Sequence, residues 1–218
     1  MPVLDVNRCY TKPILNHETV MPILLNHHYL HRNCQTVLRV GMWVDDVLAG
    51  ICCFGTTIAS VSDSICGKEY RYNVVDLNRL YIYDWAGKNS ESWLIGQAFK
   101  WLRSLHPKRF IIISYASLGD GHIGTVYQAT NFLYTGLSSK GGLQFNIRGK
   151  ELTARATMAQ YGTISKPKLV ELFGDKISWQ ATTQKHRYIY FLGSKSQRKT
   201  LMKALRWPIK PYPKWSNK

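Results

Sequence analysis

In the middle of the chain, "GDGHIGTVYQATNFLYTG" places Asp120, His122 and Tyr127 in one short stretch framed by glycines. A phenol keeps its proton at neutral pH and can release it as charge develops on a departing atom, which suits Tyr127 to general-acid work. An imidazole titrates close to neutrality, so His122 can act as a base or ligand, or simply cap a helix. Upstream, "NHHYLHR" sets His28 beside Tyr29. It also spaces His27 and His31 four residues apart, on one face if that segment is helical. Imidazole, phenolate and carboxylate together can hold iron, which makes His28 and Tyr29 candidate metal ligands. Arg79, late in "VVDLNRLYIY", offers a guanidinium fork to a phosphate or carboxylate; its other reading is an ion pair with Asp76 or Asp84. "GKNSES" opens a helix, and a helix N-terminus presents N–H groups and partial positive charge to an anion. Lys88, Ser90 and Ser92 would add side-chain contacts there, while Asn89 or Ser90 can equally serve as an ordinary cap.

These residues need elements to hold them. A helix is expected over residues 17–32, with Pro22 kinking it or delaying its start. Two strands follow, "TVLRVGMWV" and "VLAGICCFGTT", joined as a hairpin at Asp45-Asp46. Residues 60–73 read as a polar excursion. The next strand alternates Val75 and Leu77, then Leu80 and Ile82. "KNSESWLIGQAFKWLRSLH" is a helix by its stripe of Leu94, Ala98, Trp101, Leu102 and Leu105, ended by Pro107. "RFIIISYA" is apolar without alternation, as a central strand should be. A second helix is expected from His122 to Phe132, then a strand at "LYTGLS", a loop-rich insertion, and a closing strand at "RYIYFLG". The sum is a mixed α/β sheet with helices on its faces. It forms one domain over residues 1–195, followed by a basic aromatic extension over 196–218.

The chain has 218 residues, 45% hydrophobic and 19% charged, which is enough for a substantial core. No apolar run approaches the roughly 20 residues of a membrane span, and no secretion signal is evident. Five cysteines, an odd number without a C-x-x-C pair, argue for a reducing cytosol. Lys plus Arg total 29 against 13 Asp plus Glu, a net charge of +16. That excess attracts polyanions. From Ser194 to Lys218 there are eight basic residues and no acid. Among them Lys195, Arg198, Lys199, Lys203, Arg206 and Lys210 are interleaved with Trp207, Tyr212 and Trp215, a mixture suited to phosphates and base faces. A solvated tail is the alternative. An adenine methyltransferase using AdoMet would carry a D/N-P-P-Y motif; none occurs.

"DLNRLYI", "NSESWLIGQAFKWL", "SYA" and above all "GHIGTVYQA" together resemble the phage Mom family, a branch of the GNAT acyltransferase-like superfamily, over about residues 25–195. The resemblance implies a GNAT-like fold with a mostly antiparallel central sheet and helices on both faces. It also implies an enzyme of the bacterial host cytoplasm that converts adenine to N6-carbamoylmethyladenine in double-stranded DNA and so protects it from restriction. On it, Tyr127, His28 and Tyr29 are catalytic, with Ser117 standing where the family commonly has an acid and Asp120 three residues on. Arg79, Lys88, Ser90 and Ser92 fall on the cofactor side, for acetyl-CoA or a related acyl donor. Of the superfamily's Q/R-x-x-G-x-G/A loop only Gly87 remains, which leaves room for another carrier. Two further readings stay open: an N-acyltransferase acting on a protein or small amine, and a DNA-binding protein with a dead pocket. The sequence is compatible with a monomer or a homodimer.

Overall fold

A computed structural model describes residues 2–119, 121–139 and 142–215. In chain order the elements are β1 (Cys9–Pro13), β2 (Leu38–Val44), β3 (Val47–Gly55), α1 (Ala59–Cys66), β4 (Val74–Ile82), α2 (Ser90–Leu105), β5 (Ile111–Ser117), α3 (Thr125–Ala129), β6 (Leu133–Leu137), β7 (Leu143–Ile147), β8 (Lys150–Thr153), α4 (Ala154–Tyr161), α5 (Lys166–Phe173), β9 (Ile177–Ala181), β10 (Lys185–Phe191) and α6 (Lys195–Ala204). They form two compact units. The first comprises Met1–Ala116, Ile123–Gly136 and His186–Lys218; the second comprises Ser117–His122 and Leu137–Lys185.

The first unit is built on a seven-stranded sheet in the order β1-β2-β3-β4-β5-β10-β6. From β1 to β4 neighbouring strands run antiparallel, whereas β4 and β5 are parallel and joined through α2. The β2–β3 hairpin turns at Asp45 and Asp46, both with positive φ (47° and 64°), as a two-residue turn matched to strand twist requires. Alternation divides β5 between two cores. Ile112 packs with Leu94, Ala98 and Leu102 of α2 and with Tyr127 of α3. Ile111 and Ile113 point the other way, toward Ile65 of α1 and Leu201 of α6. Helices thus cover both faces, and the fold class is the mixed α/β one expected from the sequence.

The break in alternation within β4 has a structural cause. Register slips between Cys53 and Phe54, so that Leu77 faces Phe54, Arg79 faces Cys53, and Asn78 is the extra residue. A bulge of this kind lets Val75, Leu77, Leu80 and Ile82 all reach the α2 side, and turns Arg79 and Tyr81 to the opposite face.

Several local expectations are corrected. Residues 17–32 do not form one helix but a 3₁₀ turn (His17–Thr19) and a π-type turn (Ile23–His27), with Pro22 in helical conformation at the head of the second, the late start its missing N–H permits. His31 lies outside that turn at φ 42°, so it shares no helical face with His27. The excursion at 60–73 holds α1 and a 3₁₀ helix, tied by the Arg71–Asp63 ion pair. The helix expected from His122 to Phe132 is only α3, because Gly124 and Asn131 adopt left-handed backbone at either end. Asn89 makes no side-chain cap on α2. The loop-rich insertion is the second unit: a three-stranded antiparallel sheet, β8-β7-β9, with α4 and α5 around a core of Phe145, Ile147, Leu152 and Leu169. β1 and α6 were not anticipated. No helix among the described residues is long and apolar enough to cross a membrane.

Candidate active site

β4 and β5 pair only over Val74–Asp76 and Ile111–Ile113; beyond Asp76 they part. Ser114 occupies the opening. It is fully buried, and its hydroxyl donates to the Leu77 carbonyl at 2.8 Å, replacing a lost ladder bond. Tyr127 lies against it from α3, almost fully buried, with its hydroxyl hydrogen-bonded to Ser114. Since the one Ser114 proton goes to Leu77, Tyr127 is the donor in that contact. Burial pushes the Tyr127 phenol well above its ordinary value against the opposing effect of the Ser114 hydrogen bond, with Tyr29, Asp76 and Cys52 adding to the rise. The side chain is therefore an acid with its proton in place at any physiological pH.

α3 is held from outside by a small network. Gly124, at φ 73°, opens the helix where an added Cβ would strike the Tyr188 ring. The Tyr188 hydroxyl donates to the Ile123 carbonyl. Gln128 Nε2 reaches the carbonyls of Ile123 (3.0 Å) and Pro213 (3.3 Å). Tyr212 donates to the Phe132 carbonyl at 2.8 Å, so part of the basic C-terminal segment straps the helix that carries Tyr127.

His28 and Tyr29 follow the π-type turn. His28 is buried, while Tyr29 is 46% exposed and stacks on the imidazole with centroids 4.6 Å apart. The Leu30 N–H donates to His28 Nδ1 at 3.1 Å, so the neutral ring carries its proton on Nε2. Burial first, and then the charges of Arg79, His31 and Arg32, draw the His28 pKa down to about 4. At neutral pH His28 is an uncharged hydrogen-bond donor.

Arg79 projects from the bulged strand on the same side. It is 7% exposed; Nη1 donates to the Asn78 carbonyl at 2.6 Å and Nη2 to the Asn33 carbonyl at 3.4 Å. Its buried Nε has no hydrogen-bond partner among the described residues. A buried guanidinium N–H left unpaired is costly and fits an anionic group that completes it. Beside it, Cys34 has its thiol pKa lowered by a hydrogen bond with Cys53 and by the Arg79 and Arg39 charges. Cys34 and Arg39 line a cavity of about 430 Å³ with His17, Asn33 and Thr36.

Of the expected residues, His28 and Tyr29 are in ring contact, and electrostatic influence links Tyr29 to Tyr127 and Arg79 to His28. Others have different situations. Ser90 is fully buried and spends its hydroxyl on the Ala86 and Gly87 carbonyls (3.1 and 2.7 Å). Ser92 donates to the Asn89 carbonyl at 3.0 Å. Lys88 is exposed, its backbone bridged to Pro2 and Leu4. Ser117 ends β5, belongs to the second unit, and accepts the His122 N–H on its carbonyl. Asp120 lies outside the described residues. Among the described residues no group of three His, Cys, Asp or Glu gathers to hold a metal, so His28 and Tyr29 have no further ligands of these types and the iron expectation has no support. Lys195, Arg198, Lys199 and Lys203 are exposed on α6, and Arg206 follows it, also exposed. Lys210 donates its backbone N–H to the Tyr134 carbonyl at 2.8 Å. Ser114 was missed from sequence; its only signal was one polar residue inside the apolar run "FIIISYA".

A seven-stranded sheet with a parallel β4–α2–β5 unit whose strands part at a buried tyrosine defines a GNAT-like α/β fold. Among solved structures the chain is similar to a spermidine N-acetyltransferase from Vibrio cholerae in complex with CoA and spermine (TM-score 0.48, 7% identity, 85% of this chain and 96% of that one). It is also similar to a Bacillus subtilis acetyltransferase in complex with CoA (TM-score 0.41, 14% identity, 84% and 97%). Within that class the chain belongs to the Mom protein family, whose model it matches over residues 10–214. It is 27% identical over 199 residues to the methylcarbamoylase mom of Escherichia phage Mu, covering 88% of this chain and 78% of that protein.

Proposed function

We propose that this chain is a phage-type transferase that modifies N6 of adenine in duplex DNA with a carbamoylmethyl group, in the host cytoplasm, and so shields the DNA from restriction. The name of the phage Mu relative supports the reaction class. The observation that carries the reading in this chain is a phenol kept protonated by burial at the point where β4 and β5 part.

The exocyclic amine of adenine is a poor nucleophile, its lone pair being delocalised into the ring. Reaction requires an N6–carbon bond to form, one N6 proton to leave, and the donor's bond to its leaving group to break. Tyr127 supplies the proton to the leaving group and, as the resulting phenolate, takes the proton that leaves N6, ending protonated as it began; positioning the two partners removes much of the entropic barrier. His28, through Nε2–H, and Tyr29 orient the base. Arg79, through its unpartnered Nε, takes an anionic group of the donor, such as the phosphates of a CoA-type carrier; the donor itself must present a carbamoylmethyl carbon to N6, because acetyl transfer from acetyl-CoA alone would give N6-acetyladenine. In a duplex the adenine must leave the stack to reach buried groups, so base flipping is part of the proposal.

The test is mass spectrometry of nucleosides from plasmid DNA after expression of the chain in bacteria. A new adenosine heavier by a carbamoylmethyl group is the expected result. Unmodified adenine alongside folded, DNA-bound protein would overturn the reading.

A further inference from the structure

A second cationic site lies away from Tyr127. Arg103 in the last turn of α2, Arg109 before β5, and Arg198 in α6 line a cavity of about 370 Å³ together with Phe110, Ser194 and Gln197. Each guanidinium is anchored by one N–H to a carbonyl: Arg103 to Leu192 at 3.3 Å, Arg109 to Val74 at 2.8 Å, Arg198 to Gly193 at 2.8 Å. That contact fixes the fork and leaves most of its donors free for a ligand. Among the described residues no carboxylate lines the cavity. The ion pairs found among the described residues, Arg8–Asp45 and Arg71–Asp63, involve none of the three arginines. α6 begins at the cavity, and its positive end adds to the field, while Arg103 offsets the negative end of α2.

Three oriented guanidiniums without a counter-charge select an oxyanion carrying several acceptors. What distinguishes a polyanion from a small free anion is the surface that continues from the site. Lys195, Lys199 and Lys203 follow one another at i, i+4 and i+8 on α6, all exposed, at about 6 Å of rise per step. A small anion has no use for such a line, whereas a phosphate backbone does. α2 separates its two ends, one beside the β4–β5 opening and the other beside this cavity, by about 24 Å, at 1.5 Å per residue.

We propose that the Arg103–Arg109–Arg198 cavity holds a backbone phosphate of duplex DNA. It anchors the substrate at a distance from the reacting base and contributes affinity without sequence preference. The idea rests on the reading of DNA as substrate.

The experiment is duplex binding by the full chain as a function of salt, comparing wild type with an Arg103→Gln/Arg198→Gln variant; Arg109 is kept because it braces the start of β4. Loss of this one phosphate contact should reduce the slope of log K against log salt by roughly 1, at about 0.9 per phosphate, equally for unrelated sequences. An unchanged slope in a variant with an unchanged melting temperature would overturn the proposal. So would an equal fall in a Lys166→Gln/Lys168→Gln control, which removes the same charge from the second unit. Thermal stabilisation by inorganic pyrophosphate that the variant loses, with no change in the DNA slope, would assign the cavity to a small anion instead. Failure of the proposed reaction is seen separately, as unmodified adenine from the wild-type protein whatever its slope.

Discussion

Two cationic regions of the first unit handle charge in opposite ways. Around Arg79 the polar groups are few and buried. His28 is held neutral, Tyr127 is held protonated, and one guanidinium N–H has no partner among the described residues. Around Arg103 and along α6 the charges are many, exposed and bathed in solvent. The difference teaches how burial and exposure change what a charge can do. A desolvated group exerts its full electrostatic effect and has one permitted partner; exposed groups act by number and are screened by salt.

The comparison breaks most visibly at Tyr127. Tyr127→Phe should lower adenine modification at least about 100-fold, the usual scale for a general acid, while DNA affinity in a mobility-shift assay stays as in wild type. Retained modification would remove the acid role. Arg79→Lys keeps the charge but loses the fork, and should raise the donor concentration needed for half-maximal rate on the order of tenfold with unchanged DNA binding. A larger loss of DNA affinity than of donor use would move Arg79 to the other side of the contrast.

The His28 environment predicts a pH effect on stability. The folded pKa is about 4, below the ordinary 6.5, so the unfolded chain takes up its proton first. The contribution is complete above pH 6.5 and is lost as pH falls from there toward 4. Melting temperature should decline over that window, and His28→Gln should flatten the decline. The smallest effect concerns the strap on α3. Tyr212→Phe removes one hydrogen bond and should cost about 1 kcal/mol or less in denaturant unfolding, with a modest drop in modification rate. A large drop would make the C-terminal segment a positioning element for Tyr127.

Much of the first unit was legible. The α2 stripe, the apolar β5 run and the β2–β3 turn are local signals, and burial on one or both faces writes them directly into residue order. Even the bulge left a trace, the change of phase between Leu77 and Leu80. The second unit was not legible, since its strands are four or five residues long and its core rests on four buried side chains. Short amphipathic pieces of that kind do not separate from loop until their partners are known. α1 escaped for the same reason, being eight residues with a narrow buried stripe of Ser62, Ile65 and Cys66.

The sequence by itself determined the fold class, the basic surface and the identities of Tyr127, His28, Tyr29 and Arg79 as groups capable of the chemistry. The α/β class and the basic surface follow from side-chain type and periodicity, which are local properties; the gathering of those four residues into one site is what the resemblance to the Mom family implied. Tertiary structure alone decided that Ser114 receives Tyr127, that His28 carries its proton on Nε2, that Arg79 keeps an N–H unpaired among the described residues, and that Arg198 joins Arg103 and Arg109 at one cavity. Each of these depends on how separate elements pack and exclude water from one another, which residue order does not display.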